Sequence, residues 1–222
     1  MENKNFIIIC VIAVIIAVVG FAFVTGVFEQ KSNMGKTPFE TDFMSGSFVG
    51  NTEKAGSVNS SLVSYKDKEH NITYNITTMD NSSALMEIYK FQGVQGPDHR
   101  KLNGNEWNIY FAEAMPVVNN KTSTDQSQKM GIIIAECQKE SQGYIVYSIF
   151  DTGKTNFTLN TFSDAYTKFI EPLLKTIDLK HSDNVPAVHE QFGLSKDDFN
   201  KQLDLIHQIE AGNRSALHGQ QK

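Results

Sequence analysis

One uncharged apolar stretch, Phe6 to Val24, constrains this chain more than any other feature of its sequence. A helix of about 19 residues covers roughly 30 Å at about 1.5 Å per residue, which is the thickness of a bilayer hydrocarbon core. The many Ile and Val residues do not prevent such a helix, because lipid offers the backbone no other hydrogen-bond partners. The sequence therefore predicts an N-terminal membrane anchor over residues 1–28.

A cleaved signal peptide is the alternative to a permanent anchor. The apolar core of a signal peptide is typically about 7–15 residues long and precedes a site of small residues. The stretch in this chain is longer, and only Val24-Thr25-Gly26 resembles a cleavage site. Cys10 comes too early in the run to be a lipid-modified cysteine, so we interpret it as a residue within the membrane. The sequence favours the anchor and leaves cleavage open.

Glycosylation sequons indicate the orientation better than the flanking charges do. Lys4 stands on one side of the stretch and Lys31 and Lys36 stand on the other, so the charges decide nothing. N-x-S/T sequons are acceptors for glycans on exported chains. Seven of them, more than chance predicts, follow the stretch, at Asn59, Asn71, Asn75, Asn81, Asn120, Asn156 and Asn213. We predict a single-pass glycoprotein of the cell membrane with its C-terminal domain outside, and which sequons are used stays open.

Composition excludes several other classes of protein. The 222 residues are 40% hydrophobic and include 15 Phe and 7 Tyr, which excludes a wholly disordered chain. A net charge of −5 argues against nucleic-acid binding, which needs a basic face. Two cysteines exclude a disulfide scaffold and a Cys-rich zinc module. The part after the anchor is long enough for one domain with its own core.

Hydrophobic alternation predicts strands along most of the chain. Polar residues with Gly35 and Pro38 indicate a juxtamembrane linker over 29–40, and residues 117–128 are predicted to be a loop. Asn103-Gly104 predicts a two-residue hairpin turn. The predicted strands are Phe43–Val49, Leu62–Lys66, the half-buried run with Ile72, Tyr74 and Ile76, Trp107–Phe111, Met130–Cys137 and Gly143–Phe150.

Helical periodicity follows in three places. Leu85, Ile88 and Tyr89 share one helix face, with Asp80 or Asn81 as the cap and Gly93 at the end. Residues 161–176 form an amphipathic pattern that Pro172 is expected to kink or break. A last helix begins near Ser195, where Ser195 and Asp198 approximate a capping box, and residues after Ala211 form a frayed tail.

Together these segments predict an α+β protein, in which an N-terminal transmembrane helix precedes one domain with a mainly antiparallel sheet packed by helices. The predicted domain spans residues 41–181, and residues 182–222 form a C-terminal helical appendage and tail.

Three segments also resemble a known group of proteins. The strings NITYNITTMDNSSALMEIYKF, NGNEWNIYFAEA and QGYIVYSIFDTG resemble small single-span exported proteins of methanogenic archaea, which have no assigned activity. The order of elements is similar to the PsbP/Mog1 α/β fold. The resemblance implies an exported archaeal membrane protein of that architecture, and it carries no functional residues.

No catalytic or cofactor motif is present in the sequence, so we predict no catalytic residues, no cofactor and no metal site. Two clusters of charged residues could be sites or could have a structural role. Asp204, His207 and Glu210 share one side of the last helix, and Asp67, Glu69 and His70 share one turn, so either set could hold a cation. In both, a solvated polar surface is the favoured interpretation.

Three further candidates also have a structural alternative, which the sequence favours. Glu106 and Glu113 would make a carboxylate pair only if a bulge brought them to one face. Cys137 would be a nucleophile only beside a His, and its apolar neighbours indicate an inert thiol. A sugar-binding aromatic face is the third candidate, against core packing of Trp107, Tyr110, Phe111, Tyr144 and Tyr147.

The function predicted from the sequence is a membrane-anchored extracytoplasmic module that binds an envelope protein or polymer, without catalysis. The alternatives are an accessory subunit of a membrane complex and an uncharacterised envelope enzyme. The expected partners are the membrane, through the anchor, and an envelope protein or polymer; nucleic acid is not expected.

Overall fold

The computed structural model describes residues 36–59, 61–114, 117–118, 121–122, 130–151, 159–191 and 193–219. The predicted anchor over 1–28 lies outside these residues. None of the helices in the described part is long and apolar enough to cross a membrane. The strands are β1 (Lys36–Glu40), β2 (Met44–Val49), β3 (Thr52–Asn59), β4 (Leu62–Asp67), β5 (Ile72–Asp80), β6 (Gln95–Leu102), β7 (Asn105–Ala114), β8 (Val117–Val118), β9 (Lys121–Thr122), β10 (Met130–Lys139), β11 (Gln142–Asp151) and β12 (Asp178–Leu179).

One large antiparallel sheet organises the domain, in the order β3-β4-β5-β11-β10-β7-β6. A smaller sheet has the order β1-β2-β12, and β8 pairs with β9. The predicted α+β class with a mainly antiparallel sheet is confirmed. The helices are α1 (Ser82–Phe91), α2 (Leu159–Ala165), α3 (Glu171–Leu174), α4 (Val188–Gln191) and α5 (Lys196–Gly219), and a π-helical segment, Tyr166–Ile170, joins α2 to α3.

The first face of the large sheet, which carries Ile133 and Cys137, packs against the small sheet and the α2–α3 segment. Phe48 of β2 and Leu173 of α3 belong to this core, and both are fully buried. Full burial of one such side chain stabilises the fold by about 1.5–3 kcal/mol. The small sheet is therefore part of the domain core.

The second face, which carries Ile134 and Tyr147, packs against α1, α4 and α5. Leu85 of α1, Val188 of α4 and Phe199 of α5 belong to this second core. The domain thus has three layers, with the large sheet in the middle.

β5 is buried on both faces, although its alternation predicts a half-buried strand. Thr73, Asn75 and Thr77 point to the second face and are at most 4% exposed. Asn75 Oδ1 accepts a hydrogen bond of 2.6 Å from Ser64 Oγ on β4, which satisfies one of these buried polar groups. The alternation of apolar and polar residues correctly identified the face of β5 that is buried in the first core. It could not show that helices also cover the second face.

The domain boundaries differ from those predicted from the sequence. The last five residues of the predicted linker, Lys36–Glu40, form β1, which pairs along its whole length with β2. The predicted appendage, 182–222, contributes α4 and α5 to the second core, and the Val188 N–H donates a hydrogen bond of 2.6 Å to Asp80 Oδ1. β1 buries only Phe39, and the helical periodicity of the C-terminal segment does not show which surface that helix covers.

The predicted helix continues past Pro172 by way of a π-helical turn. Proline has no N–H to donate to the carbonyl of Lys168, four residues earlier. Residues Tyr166–Ile170 form a π-helical turn, in which the Glu171 N–H donates a hydrogen bond to the carbonyl of Tyr166, five residues earlier. The helix therefore continues into α3, and Phe169 and Leu173 still reach the first core.

The predicted turn at Asn103-Gly104 is confirmed, and it joins β6 to β7. Both residues have positive φ, 47° and 74°, as a type I′ hairpin turn requires. The Asn103 side chain donates a hydrogen bond of 2.8 Å to the carbonyl of Ile177, so the hairpin tip is tied to the chain before β12.

The helix ends agree with the sequence in part. The Asp198 N–H donates to Ser195 Oγ at 3.2 Å, which confirms Ser195 as the cap of α5. α5 continues to Gly219, so the predicted end at Ala211 is wrong. Asn81 occupies the cap position of α1, but its side chain makes no capping hydrogen bond there.

Candidate functional site at an exposed sheet edge

The outer side of β6, here called the β6 edge, is an exposed polar surface of the large sheet. β6 is the last strand in the sheet order. Asp98, His99, Arg100 and Lys101 are all exposed. The alternation of a strand places Asp98 and Arg100 on the first face and His99 and Lys101 on the second. Both faces of the edge therefore present charged or titratable groups.

On the first face, Asp98 and Arg100 form an ion pair with a distance of 2.5 Å between carboxylate oxygen and guanidinium nitrogen. Tyr166, from the π-helical segment, lies near this pair. Burial and the Glu171 carboxylate raise the pKa of the Tyr166 hydroxyl, and the charge of Arg100 lowers it in part. The ion pair is half exposed, so it contributes little to stability and stays available to a partner.

On the second face, a hydrogen-bond chain runs from the β6 edge into the protein. His99 Nδ1 lies 2.7 Å from Asn108 Oδ1, and Asn108 Nδ2 donates to Glu136 Oε2 at 2.8 Å. Glu136 is 1% exposed. Its other oxygen accepts a bond of 2.5 Å from Ser82 Oγ, at the first residue of α1. We call this set the His99–Ser82 chain; it links β6, β7, β10 and α1.

Gly143 allows α1 to approach the sheet closely enough to complete that chain. A Cβ atom at residue 143 would lie 2.1 Å from Ser82 Oγ and 2.3 Å from Ser82 Cβ. Real Cβ atoms do not approach other atoms so closely, so only glycine fits here with α1 in this position.

The His99–Ser82 chain is suited to positioning and not to catalysis. Ser82 is fully buried, and its hydroxyl donates to a carboxylate instead of facing a substrate. The carboxylate influences its surroundings, because burial and Glu136 raise the pKa of Tyr110 to about 12. The chain connects the exposed His99 of β6, through Asn108 of β7, to the buried Glu136 of β10.

The turn with Asp67, Glu69 and His70 is held by its own hydrogen bonds. Asp67 is fully buried. Asp67 Oδ1 accepts from the backbone N–H groups of Glu69 and His70, at 3.0 and 3.1 Å, and Asp67 Oδ2 lies 2.8 Å from His70 Nδ1. The aspartate therefore shapes the turn between β4 and β5. No group of three His, Cys, Asp or Glu residues in the described ranges is placed to hold a metal ion.

The last-helix cluster and the pair of Glu106 and Glu113 do not form sites either. His207 Nε2 lies 2.8 Å from Glu87 Oε2 on α1, so this histidine joins two helices. Glu106 and Glu113 belong to β7, whose register with β10 shows no bulge. They therefore point to opposite faces of the sheet, as a regular strand requires.

The five aromatic residues weighed as a sugar-binding face divide between the two cores. Trp107, Phe111 and Tyr144 belong to the first core, and Tyr110 and Tyr147 belong to the second. All except Phe111 are buried. Core packing accounts for them, as the alternative interpretation of the sequence has it.

Cys137 is a buried thiol, 3% exposed. Burial and the neighbouring Glu136 raise its pKa to about 11. At pH 8 the thiolate fraction is then about 100-fold below that of an ordinary cysteine. We therefore expect iodoacetamide to alkylate Cys137 at least about 100-fold more slowly in the native Cys10→Ser protein than after unfolding, as measured by mass spectrometry. Equal rates in the two states would show a reactive thiol.

The sequon asparagines occupy different environments. Asn71 and Asn81 are exposed and have positive φ, 53° and 42°. Asn75 is fully buried, so we expect no glycan on it in this fold. Asn120, Asn156 and the side chains of Asn59 and Asn213 lie outside the described part of the chain.

Sequence reasoning missed β6, although one signal was available. Residues 93–99, GVQGPDH, resemble a loop because they contain two glycines, Pro97 and only one aliphatic residue. A two-residue hairpin at Asn103-Gly104 requires a strand on both sides, however. Extending the pairing back from Leu102 opposite Asn105 would have placed Asp98 opposite Ile109, as the structure does.

Comparisons with known proteins identify no family. No family model matches this chain, and no curated protein matches it. A crystal structure from Bacteroides thetaiotaomicron, at 1.50 Å resolution, is similar with a TM-score of 0.43 and 7% sequence identity. The match covers 68% of this chain and 51% of the other, so this chain spans about half the length of that protein. A similarity at this level gives no ground for a function.

Proposed function

We propose that this chain is a membrane-anchored extracytoplasmic module that binds a polypeptide as an added strand along the β6 edge. One observation carries the proposal: β6 ends the large sheet, and its residues 98–101 are exposed. A strand at the end of a sheet offers a row of backbone N–H and C=O groups, which pair with an incoming strand.

The two edges of the large sheet differ in a way that supports this choice. β3, at the opposite edge, is irregular: its register with β4 shifts after Lys54 and again after Ser57. Bulges of this kind protect an edge from further pairing. β6 has one register shift, between Gln95 and Asp98, and then pairs with β7 in unbroken register from Asp98 to Leu102. The His99–Ser82 chain holds this part in place, and a preorganised strand loses less entropy on binding.

The location outside the membrane is part of the proposal and rests on the sequence. The apolar stretch Phe6 to Val24 supplies the anchor. The exposed sequons at Asn71 and Asn81 are compatible with glycans on the folded domain. Cell-surface display would bring the β6 edge to an envelope protein.

Two cysteine variants test the location and the binding together. We expect Lys101→Cys, on β6, and Lys54→Cys, on β3, both in a Cys10→Ser background, to react on intact cells with a membrane-impermeant crosslinker. Its maleimide end bonds to the new thiol, and its sulfosuccinimidyl ester end bonds to a lysine amine of the partner. Both native lysines are exposed, whereas Cys137 is buried and inert. Only Lys101→Cys should form an adduct with a second polypeptide, seen as a mass increase on a denaturing gel.

Each part of the proposal has its own failing result. Reaction of both variants only after lysis would overturn the extracytoplasmic location. Adducts of equal yield at both positions would overturn the assignment of binding to the β6 edge. The absence of adducts at both positions would overturn it as well.

A further inference from the structure

We infer that the strand which pairs with the β6 edge is β6 of a second copy of this chain, antiparallel and centred on His99. The inference rests on the proposed function and names the partner. Its support is the order of charges along the exposed part of β6, Asp98-His99-Arg100-Lys101.

The geometry of a shared sheet leaves few registers for self-pairing. Two copies that extend one sheet through antiparallel β6 strands are related by a two-fold axis perpendicular to the sheet. In an antiparallel pair, directly opposite residues project from the same face of the sheet. The two-fold axis therefore lies midway between the two copies of one residue. The regular part of β6 runs from Asp98 to Leu102. Pairing on both sides of the axis is therefore possible with the axis at His99, Arg100 or Lys101.

Charge selects among these three registers. An axis at Arg100 places two guanidinium groups opposite each other, and an axis at Lys101 places two ammonium groups opposite each other. Like charges directly opposite destabilise a strand pair. An axis at His99 places Asp98 of each copy opposite Arg100 of the other, which makes two cross-strand ion pairs on the first face.

Asp98 and Arg100 are placed to exchange their ion pair within one strand for ion pairs between the two strands. Asp98 and Arg100 contact each other within one strand, and their side chains are 47% and 49% exposed. In the paired state, the four charges would alternate in sign around the axis. The membrane anchor favours such a weak, short interface, because it confines the copies to one surface and raises their effective concentration.

A cysteine on the predicted axis gives a direct test. Opposite residues of an antiparallel pair have Cα atoms about 4.5–5.5 Å apart, within the range that a disulfide spans. We expect the full-length His99→Cys variant, in the Cys10→Ser background and in its own membranes, to form a disulfide-linked dimer under mild oxidation. Lys54→Cys is the control and should remain monomeric.

Charge exchange tests the register. In the His99→Cys background, Asp98→Arg alone or Arg100→Asp alone should slow dimer formation about tenfold, because each places like charges opposite each other. The double variant, Asp98→Arg with Arg100→Asp, should restore the rate. Equal rates in all four proteins would overturn the register.

The self-pairing and the proposed function fail in different ways. A Lys101→Cys adduct with a polypeptide of another mass, without a His99→Cys dimer, retains the binding edge and overturns the self-pairing. The absence of any adduct at both positions overturns both.

Discussion

Gly143→Ala is expected to lower the free energy of unfolding by about 3 kcal/mol or more. The added Cβ would lie 2.1 Å from Ser82 Oγ, so the start of α1 would have to move away from β11. That movement would break the bond between Ser82 and Glu136 and leave a buried carboxylate oxygen without its partner. Overpacking and the lost hydrogen bond therefore add to each other.

The effect can be measured by urea denaturation of the full chain in detergent. Trp107 is the only tryptophan and is 1% exposed, so its fluorescence reports on loss of the core. Gly56→Ala is the matched control, because a Cβ at residue 56 would meet nothing within 4 Å. The cost of Gly143→Ala should fall in a Ser82→Gly background, which removes the two closest atoms. The same small cost at residues 143 and 56 would contradict the close approach of α1.

Asp67→Ala is expected to cost about 3 kcal/mol. The Asp67 carboxylate is fully buried and bonds two backbone N–H groups and the His70 ring. Its removal leaves these donors without a partner at the turn between β4 and β5. The loss should appear as a lower urea midpoint, with the slope of the transition unchanged.

Lys68→Ala, in the same turn, is the control for Asp67→Ala. Lys68 pairs with Glu53 at 3.0 Å, but both side chains are largely exposed, so the change should cost at most about 0.5 kcal/mol. Stability losses of similar size for the two variants would show that the buried carboxylate has no special role in the turn.

The sequence predicts the centre of the large sheet well, because its strands carry their own signals. The β4–β5 and β10–β11 hairpins have short turns, β7 follows a two-residue turn, and these five strands are rich in β-branched and aromatic residues. Asn103-Gly104 fixes one of these turns to the residue.

The strands that the sequence misses lie at the edges of sheets. β1, β3 and most of β6 bury few side chains and carry little alternation. Each pairs with the next strand along the chain, so what they lack is a buried apolar pattern of their own. β12, which the sequence also misses, pairs with β2, a strand far away in the chain. A local pattern contains no information about such partners.

The sequence does not predict the candidate site, because its residues lie far apart in the chain. Ser82 and Glu136 are 54 residues apart in the chain, and Asn108 and Glu136 are 28 apart. Glu136 stands next to apolar residues in a run that predicts only a buried strand, and His99 is one of six scattered histidines. Only the folding of the sheet brings these residues together.

The small sheet can close only late in the synthesis of the domain. Its first two strands, β1 and β2, leave the ribosome at the start of the domain, whereas their partner β12 ends at Leu179. The Lys180 N–H also bonds the Phe43 carbonyl at 2.9 Å. The layer over the first face therefore cannot close until nearly the whole domain has been made. A chain exported during synthesis would emerge with Phe43 and Phe48 still uncovered, so we expect its maturation to depend on rapid completion of transport or on a holding chaperone.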